Sequence, residues 1–180
     1  ALRTNLAFMG FNEQEKTLLV TSSISGEGKS FISLNLAMSI TLTGKRVALM
    51  EMDLRKPKLS RYLGIKRDPG ISNHLIGKAD IDAIIKETKY PNLFVISAGP
   101  TPPNPTELIG NPTFKVMMAA LRERFDYIII DSAPIGPVTD AQLLAEYANT
   151  TLYVVRHALT PKAFVRLMTE LNRDKKFNNM

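Results

Sequence analysis

A glycine-bearing loop that ends in Lys-Ser is the part of the sequence whose residue types point most clearly to chemistry. The stretch from Leu18 to Ser39 reads as a buried strand, the loop "SISGEGKS" and then a helix. In such a loop backbone N–H groups converge on phosphate oxygens, the positive end of the helix faces the same anion, and the hydroxyl can hold magnesium. The sequence therefore predicts a site for ATP and Mg²⁺.

The loop departs from the standard pattern G-x-x-x-x-G-K-[ST] because Ser23 occupies the position of the first glycine. Gly26 and Gly28 remain where the chain must curl most tightly. The alternative is a chance glycine-rich turn, but the flanking strand and helix favour a phosphate loop. The predicted nucleotide-binding residues are Ser25, Gly26, Glu27, Gly28, Lys29, Ser30 and Phe31.

A carboxylate that could order magnesium follows a second apolar run, "IIID", which ends in Asp131. Taken alone, an aspartate at this point could equally be a turn starter or a helix cap. In proteins with a phosphate loop, the carboxylate that orders magnesium ends a neighbouring strand. With Ser30, Asp131 is therefore a predicted metal ligand.

Two further carboxylates end another apolar run, "VALMEMDLRKP". Glu51 and Asp53 are two residues apart, so on a strand they share a face, and we expect both to point into the phosphate crevice. One of them could serve the metal and the other could accept a proton from an attacking hydroxyl; which of the two is the base stays open, and Asp53 joins Ser30 and Asp131 as a predicted metal ligand. Arg55 could neutralise phosphate or tether the acids. Lys29, Glu51, Asp53 and Arg55 are the predicted catalytic residues, although a surface pair of acids at a strand end is the alternative.

Strands and helices alternate along the chain and would position these residues. Short apolar runs rich in β-branched residues predict strands at 17–22, 46–53, 92–98, 126–131 and 151–156. Helical periodicity predicts helices at 30–42, 81–87, 112–124, 139–147 and 161–173, and the proline-rich segment 97–112 is expected to wrap the surface. This alternation predicts one α/β domain with a doubly wound, mostly parallel sheet, helices on both faces, and the crevice at the carboxyl ends of the strands.

The composition excludes several classes of site. The chain has 180 residues, 44% of them hydrophobic and 22% charged, which suits one globular domain. It has no cysteine and only two histidines, which excludes thiol chemistry and argues against a histidine metal cage. No apolar run is long enough to cross a bilayer. The net charge of +6 favours anionic ligands or partners.

Taken together, the motifs resemble those of the bacterial tyrosine kinases, P-loop enzymes that phosphorylate tyrosine during capsule and exopolysaccharide production. The matching stretches are "TSSISGEGKS", "ALMEMDLR" for D-x-D-x-R and "IIIDSAP" for D-[ST]-x-P, with further likeness in "PPNPTELI", "DAQLLA" and "VVRHALT". The resemblance implies that Lys29 contacts the outer phosphates, that Ser30 and Asp131 organise magnesium, and that Asp53 is a candidate for activating the tyrosine hydroxyl. Glu51 stands where the family usually has aspartate.

The alternative function is a nucleotide switch of the septum-positioning or chromosome-partitioning type, which shares the fold and uses hydrolysis to control dimerisation. Those proteins normally carry an extra lysine shortly after the loop begins, and this chain has Ile24 there. A nucleotide-bound scaffold without turnover is a third possibility.

The resemblance also implies partners beyond ATP and ADP. Family members begin with a helix that joins subunits in a homo-oligomeric ring, of which only Arg3 can be matched, and end in a tyrosine cluster that neighbouring subunits phosphorylate. We therefore expect residues 1–180 to be a single P-loop kinase domain truncated at both ends. The implied regulator is a transmembrane polysaccharide chain-length protein, fused or separate, which places the site at the cytoplasmic face of the inner membrane, and no nucleic acid is expected.

Overall fold

The structure is a computed structural model that describes residues 2–8, 11–12, 14–135 and 139–180. Within the first helix the side chains of residues 3, 7 and 8 are not described. The predicted ring contact of Arg3 therefore lies outside the described residues.

A six-stranded sheet in the order β3-β4-β2-β5-β1-β6 forms the centre of the molecule. All neighbouring strands are parallel except β3, which runs antiparallel to β4 at one edge. The strands are β1 (Thr17–Ser22), β2 (Val47–Met52), β3 (Ile85–Glu87), β4 (Leu93–Ile96), β5 (Tyr127–Ser132) and β6 (Thr150–Val154). This arrangement confirms the predicted doubly wound, mostly parallel α/β fold.

Helices cover both faces of the sheet, because the central strands are apolar on successive positions and need partners on each side. The helices are α1 (Leu2–Phe8), α2 (Lys29–Thr41), α3 (Leu59–Tyr62), α4 (Ile71–Leu75), α5 (Ile81–Ile84), α6 (Pro105–Ile109), α7 (Pro112–Arg124), α8 (Asp140–Ala145) and α9 (Lys162–Arg173). On one face Leu36 and Ile40 of α2 pack against Leu49 and Ile129. On the other, Phe114 of α7 and its neighbours form the larger core with residues of β1, β2, β4 and β5.

Two predicted elements differ from the structure. The predicted helix 81–87 ends at Ile84, and residues 85–87 form the edge strand β3, which pairs with β4. The proline-rich segment is not only a surface wrap, because it contains α6, with Pro105 in the first turn, where the missing N–H is tolerated. Leu108 and Ile109 of α6 are buried in the larger core. In the described part of the chain, no helix combines the length and apolarity that crossing a bilayer requires.

Candidate nucleotide site

The order of the sheet brings the three predicted motifs to one edge. β5 lies between β1 and β2, and Asp131 on β5 is in register with Val20 of β1 and with Glu51 of β2. Because the strands are parallel, the phosphate loop after β1, Asp131 at the end of β5 and the acidic residues at the end of β2 all lie at the carboxyl edge. This is the edge at which ligands bind in open α/β sheets.

The phosphate loop, defined as residues 23–28, curls through left-handed backbone at two glycines. Gly26 has φ 92° and Gly28 has φ 102°, and nothing lies within 4 Å of a Cβ built at Gly28, so backbone angle rather than space requires glycine there. Ser23, in contrast, is not one of the described residues with a positive φ. A side chain is therefore tolerated at the first position of the motif, and the Ser23 hydroxyl lies 2.8 Å from the phenol oxygen of Tyr153.

The phosphate loop leads directly into α2, whose first residue is Lys29. Gly28 precedes this 13-residue helix and supplies no side-chain cap to it. The N–H groups of the first turn are therefore available to an anion, and the helix dipole adds positive potential at the same point.

The side chains of Glu27 and Phe31 make contacts within the protein or lie on its surface. Glu27 is only 4% exposed, and its carboxylate accepts a hydrogen bond from the Ile24 N–H at 2.7 Å and another from the Thr160 hydroxyl. Phe31 is 70% exposed and lines a shallow pocket between α1 and α2 with Leu2. Any part these two residues play in binding phosphate would come from their backbone.

Lys29 is surrounded by carboxylates. Its side chain is buried, and burial lowers the pKa of the ammonium, while Asp131, Asp53 and Glu27 oppose that effect and nearby Lys58 adds to it. The electrostatic influence of Asp131 and Asp53 shows that β5 and β2 both deliver a negative charge next to the lysine. The predicted convergence of the three motifs is thus present in the structure.

Asp131 is a deeply buried carboxylate with serine hydroxyls close by. It is 1% exposed, and burial raises the pKa of its carboxyl to about 7, although hydrogen bonding from Ser30, the charge of Lys29 and hydrogen bonding from Ser33 work in the opposite direction. The Ser33 hydroxyl donates to Asp131 Oδ1 at 3.3 Å. A divalent cation would offset the free-energy cost of burying the charged form of this carboxylate. A carboxylate and a serine hydroxyl supply the hard oxygen ligands that magnesium prefers.

The protein offers only part of a magnesium shell. Among the described residues, no group of three or more His, Cys, Asp or Glu side chains could hold a metal ion. Magnesium usually keeps several waters and binds through one or two carboxylates together with nucleotide phosphates. The donors Ser30 and Asp131 therefore fit an ion that arrives with a nucleotide.

Asp53 lies just past the end of β2 and is half-buried. One of its oxygens accepts a hydrogen bond from the Lys56 N–H at 3.0 Å, which fixes the turn after the strand. Its charge acts on both Lys29 and Asp131. Asp53 is therefore a carboxylate that remains accessible beside the phosphate loop.

Glu51 differs from the expectation that both acids of this motif point into the crevice. It is fully buried, and its carboxylate accepts hydrogen bonds from the Ser60 N–H at 3.0 Å, the Ser60 hydroxyl at 3.2 Å and the Ala98 N–H at 3.0 Å. The longer side chain reaches α3 and the chain after β4, and these groups enclose it. Glu51 thus joins two elements of the fold, and the accessible carboxylate of the motif is Asp53.

Arg55 pairs with Asp140 and not with Glu51 or Asp53, the two acids that it was expected to tether. Its guanidinium donates to Asp140 Oδ2 at 3.1 Å and to the Thr106 hydroxyl at 2.9 Å, and Thr106 donates to Asp140 Oδ1 at 2.6 Å. Asp140 is fully buried in the first turn of α8, and its neighbour Thr139 makes no side-chain cap. This triad fixes the segment after β2 to α6 and α8.

Sequence reasoning missed three polar groups at the site. Ser33 follows Ser30 by three residues on α2, and this helical spacing could have placed it beside Asp131. No local sequence pattern could have identified Thr106 and Thr160, since each contacts a residue far away in the sequence.

Comparisons with known proteins show the family to which the chain is similar. A family model described as an AAA domain matches residues 15–160. The putative tyrosine-protein kinase CapB of Staphylococcus aureus is 38% identical over 154 residues, which are 86% of this chain and 68% of the relative. The tyrosine-protein kinase ptk of Acinetobacter johnsonii is 34% identical over 89% of this chain, which spans only 22% of that relative.

Solved structures show the same likeness. The kinase domain of the Escherichia coli tyrosine kinase ETK superposes with a TM-score of 0.92 at 27% identity, covering 99% of this chain and 70% of that one. The chimerical protein CapA2B2 gives 0.91 at 30% identity, covering 99% and 81%. The septum site-determining protein MinD of Pyrococcus horikoshii, with a TM-score of 0.74, 18% identity and coverage of 91% and 67%, shares the fold.

Proposed function

The chain belongs to the family of bacterial tyrosine kinases, and from that premise we propose that its site transfers the γ-phosphate of ATP to tyrosine hydroxyls. The observation that carries the proposal is that Lys29 lies within the electrostatic influence of two carboxylates, Asp131 on β5 and Asp53 just past β2. Hydrolysis needs one carboxylate to order the metal. Transfer to a phenol also needs a group that can accept the phenolic proton, and the proposal gives this role to Asp53, whose carboxylate is only half-buried.

The residues divide the reaction between them. The N–H groups of the phosphate loop and the first turn of α2 hold the phosphates, and Lys29 reaches the outer ones. Ser30 and Asp131 would hold magnesium, which when bound neutralises charge on the β- and γ-phosphates. A tyrosine oxygen forms a bond to the γ-phosphorus, the bond from that phosphorus to the oxygen that leaves with ADP breaks, and Asp53 accepts the phenolic proton.

The proposed partners follow from the relatives. The family contains short chains, of which this one spans 68%, and long chains, of which it spans 22%, so the domain occurs both nearly alone and within a larger protein. We propose that the regulator is a transmembrane polysaccharide chain-length protein, in the same chain or a separate one, at the cytoplasmic face of the membrane. The proposed acceptor is the tyrosine-rich tail of a neighbouring subunit in a homo-oligomeric ring, and the process served is capsule or exopolysaccharide synthesis.

A phosphotransfer assay tests the proposal. The purified chain is incubated with MgATP and a random glutamate–tyrosine copolymer, and phosphotyrosine is measured together with released phosphate. We expect phosphotyrosine, its loss in Lys29→Met, and a fall of roughly 10² to 10⁴ in turnover for Asp53→Asn. Asp174→Asn is the matched control, because that carboxylate is exposed and, in the described part of the chain, forms an ion pair only with adjacent Arg173.

The same assay separates the kinase from the nucleotide switch. Release of phosphate without phosphotyrosine, also in the presence of the regulator, would favour the switch. Asp53→Asn that remains fully active would refute the assignment of Asp53 as the proton acceptor.

A further inference from the structure

One segment of the chain, residues 153–160, makes three side-chain contacts with the phosphate loop. Tyr153 meets Ser23 at the start of the loop, with 2.8 Å between their oxygens. Arg156 donates to the carbonyl of Gly26 at 3.0 Å, and the Thr160 hydroxyl donates to the carboxylate of Glu27. The contacts thus reach the beginning, middle and end of the loop, although the segment is about 130 residues away in the sequence.

The Glu27 contact is part of a continuous chain of hydrogen bonds. The Arg156 N–H donates to the Thr160 hydroxyl at 2.9 Å, and that hydroxyl donates to Glu27 Oε1. The second oxygen of Glu27 accepts from the Ile24 N–H at 2.7 Å. Hydrogen bonds to a carboxylate are stronger than neutral ones, and a buried carboxylate without them would be costly. Glu27 therefore links the Ile24 N–H in the phosphate loop to the Thr160 hydroxyl outside it.

The Arg156 contact sets the direction of a peptide group. In a planar trans peptide the carbonyl of one residue and the N–H of the next point in opposite directions. Because the Gly26 carbonyl points towards the Arg156 guanidinium, the N–H of Glu27 points away from it. Leu159 also lies beside Gly26, since its Cδ2 is 4.0 Å from a Cβ built at that glycine. A peptide group held in one orientation has less freedom to lose when a phosphate binds.

We propose that residues 153–160 form a brace that holds the phosphate loop in its nucleotide-binding shape, with Thr160 and Arg156 as positioning residues. The inference rests on the nucleotide binding of the proposed function and assigns a further role to residues outside the phosphate loop and its helix. The brace lowers the cost of ordering the loop on binding, so it acts on affinity for nucleotide. It touches no reacting atom, so it leaves turnover at saturation unchanged.

The first test compares Thr160→Val, which keeps the shape and removes the hydroxyl, with Thr160→Ser, which keeps the hydroxyl. Binding of MgADP is measured by calorimetry, and KM and kcat for MgATP by the copolymer assay. We expect Thr160→Val to weaken MgADP binding by about tenfold or more, the lower range for a lost hydrogen bond to a charged group, and to raise KM while kcat stays within about twofold. Thr160→Ser restores wild-type affinity. Thr169→Val is the matched control, because among the described residues its exposed hydroxyl bonds only to the Val165 carbonyl in the turn of its own helix.

The second test uses Arg156→Ala, whose side chain is exposed and whose loss leaves the core intact. We expect weaker MgADP binding here too, and the double variant with Thr160→Val to lose less than the sum of the two, because both residues hold one loop. Arg156→Ala also decides the matter if Thr160→Val fails to fold.

Unchanged affinity in both variants, or a loss that Thr160→Ser does not restore, would overturn the brace while wild-type binding keeps the proposed function. A fall in kcat with unchanged affinity would overturn it as well. Absence of MgADP binding by the wild-type chain would overturn the brace and the proposed function together.

Discussion

Glu51→Gln separates a structural role of this buried carboxylate from a catalytic one. In the structure Glu51 accepts three hydrogen bonds, two from Ser60 and one from the Ala98 N–H. Glutamine has nearly the same shape but only one acceptor oxygen. If that oxygen keeps the bonds from Ser60, the amide NH₂ faces the N–H of Ala98, and two donors meet in a buried place.

The magnitude follows from those contacts. A buried N–H without an acceptor costs about 1–3 kcal/mol, and the bonds kept by a neutral oxygen are weaker than those to a carboxylate. We expect Glu51→Gln to lower the free energy of unfolding by about 3 kcal/mol. For a domain of this size that corresponds to a fall of about 6–12 °C in melting temperature.

The assay is thermal unfolding followed by circular dichroism, combined with turnover at a temperature at which the variant is fully folded. A structural role predicts the lower melting temperature with kcat within a few-fold of wild type. Asp53→Asn is the reciprocal control, because its half-buried carboxylate should affect turnover far more than stability. A melting temperature unchanged by Glu51→Gln, with kcat reduced a hundredfold or more, would show that Glu51 is the base and refute the reasoning.

Two further predictions concern the other buried carboxylates. Asp131→Asn should weaken MgADP binding about tenfold or more but leave binding of ADP in EDTA unchanged, as measured by calorimetry, because the carboxylate serves the metal; equal losses in both conditions would exclude this role. Arg55→Ala should lower the free energy of unfolding in urea by about 3 kcal/mol, more than Asp140→Asn, because the first variant leaves a buried charge unpaired and the second leaves a partly exposed guanidinium. The reverse order would contradict the account of this pair.

The parts of the fold that the sequence predicted are those governed by local pattern. The five predicted strands lie within two residues of β1, β2, β4, β5 and β6, because each is an apolar run that must be covered on both faces. Four of the five predicted helices likewise agree with α2, α7, α8 and α9. The strand β3 was missed because Ile85 continues the helical spacing of Ile81 and Ile84, and the extended conformation comes from pairing with β4.

The site was predictable where it depends on spacing and not where it depends on long-range contacts. The phosphate loop, Asp53 and Asp131 each lie at or just past the carboxyl end of a strand. In a parallel sheet these ends share one edge, so the sequence could predict that the three lie close together. The burial of Glu51 could not be predicted from spacing, because its hydrogen-bond partners Ser60 and Ala98 are 9 and 47 residues away in the sequence. A two-residue repeat sets the face of a strand on which a side chain lies, but not which groups then cover it.

The three carboxylates at this edge of the sheet show how one residue chemistry can serve three roles. Glu51 is buried with three donors, so its charge is fully satisfied by the protein. Asp131 is also buried, but burial outweighs its hydrogen bonds and raises its pKa to about 7, so it has the most to gain from a metal ion. Asp53 is half-buried and remains open to an incoming hydroxyl. The hydrogen-bond donors around each acid, more than its position in the motif, therefore support the proposed division of roles, with Glu51 structural, Asp131 on the metal and Asp53 as the base.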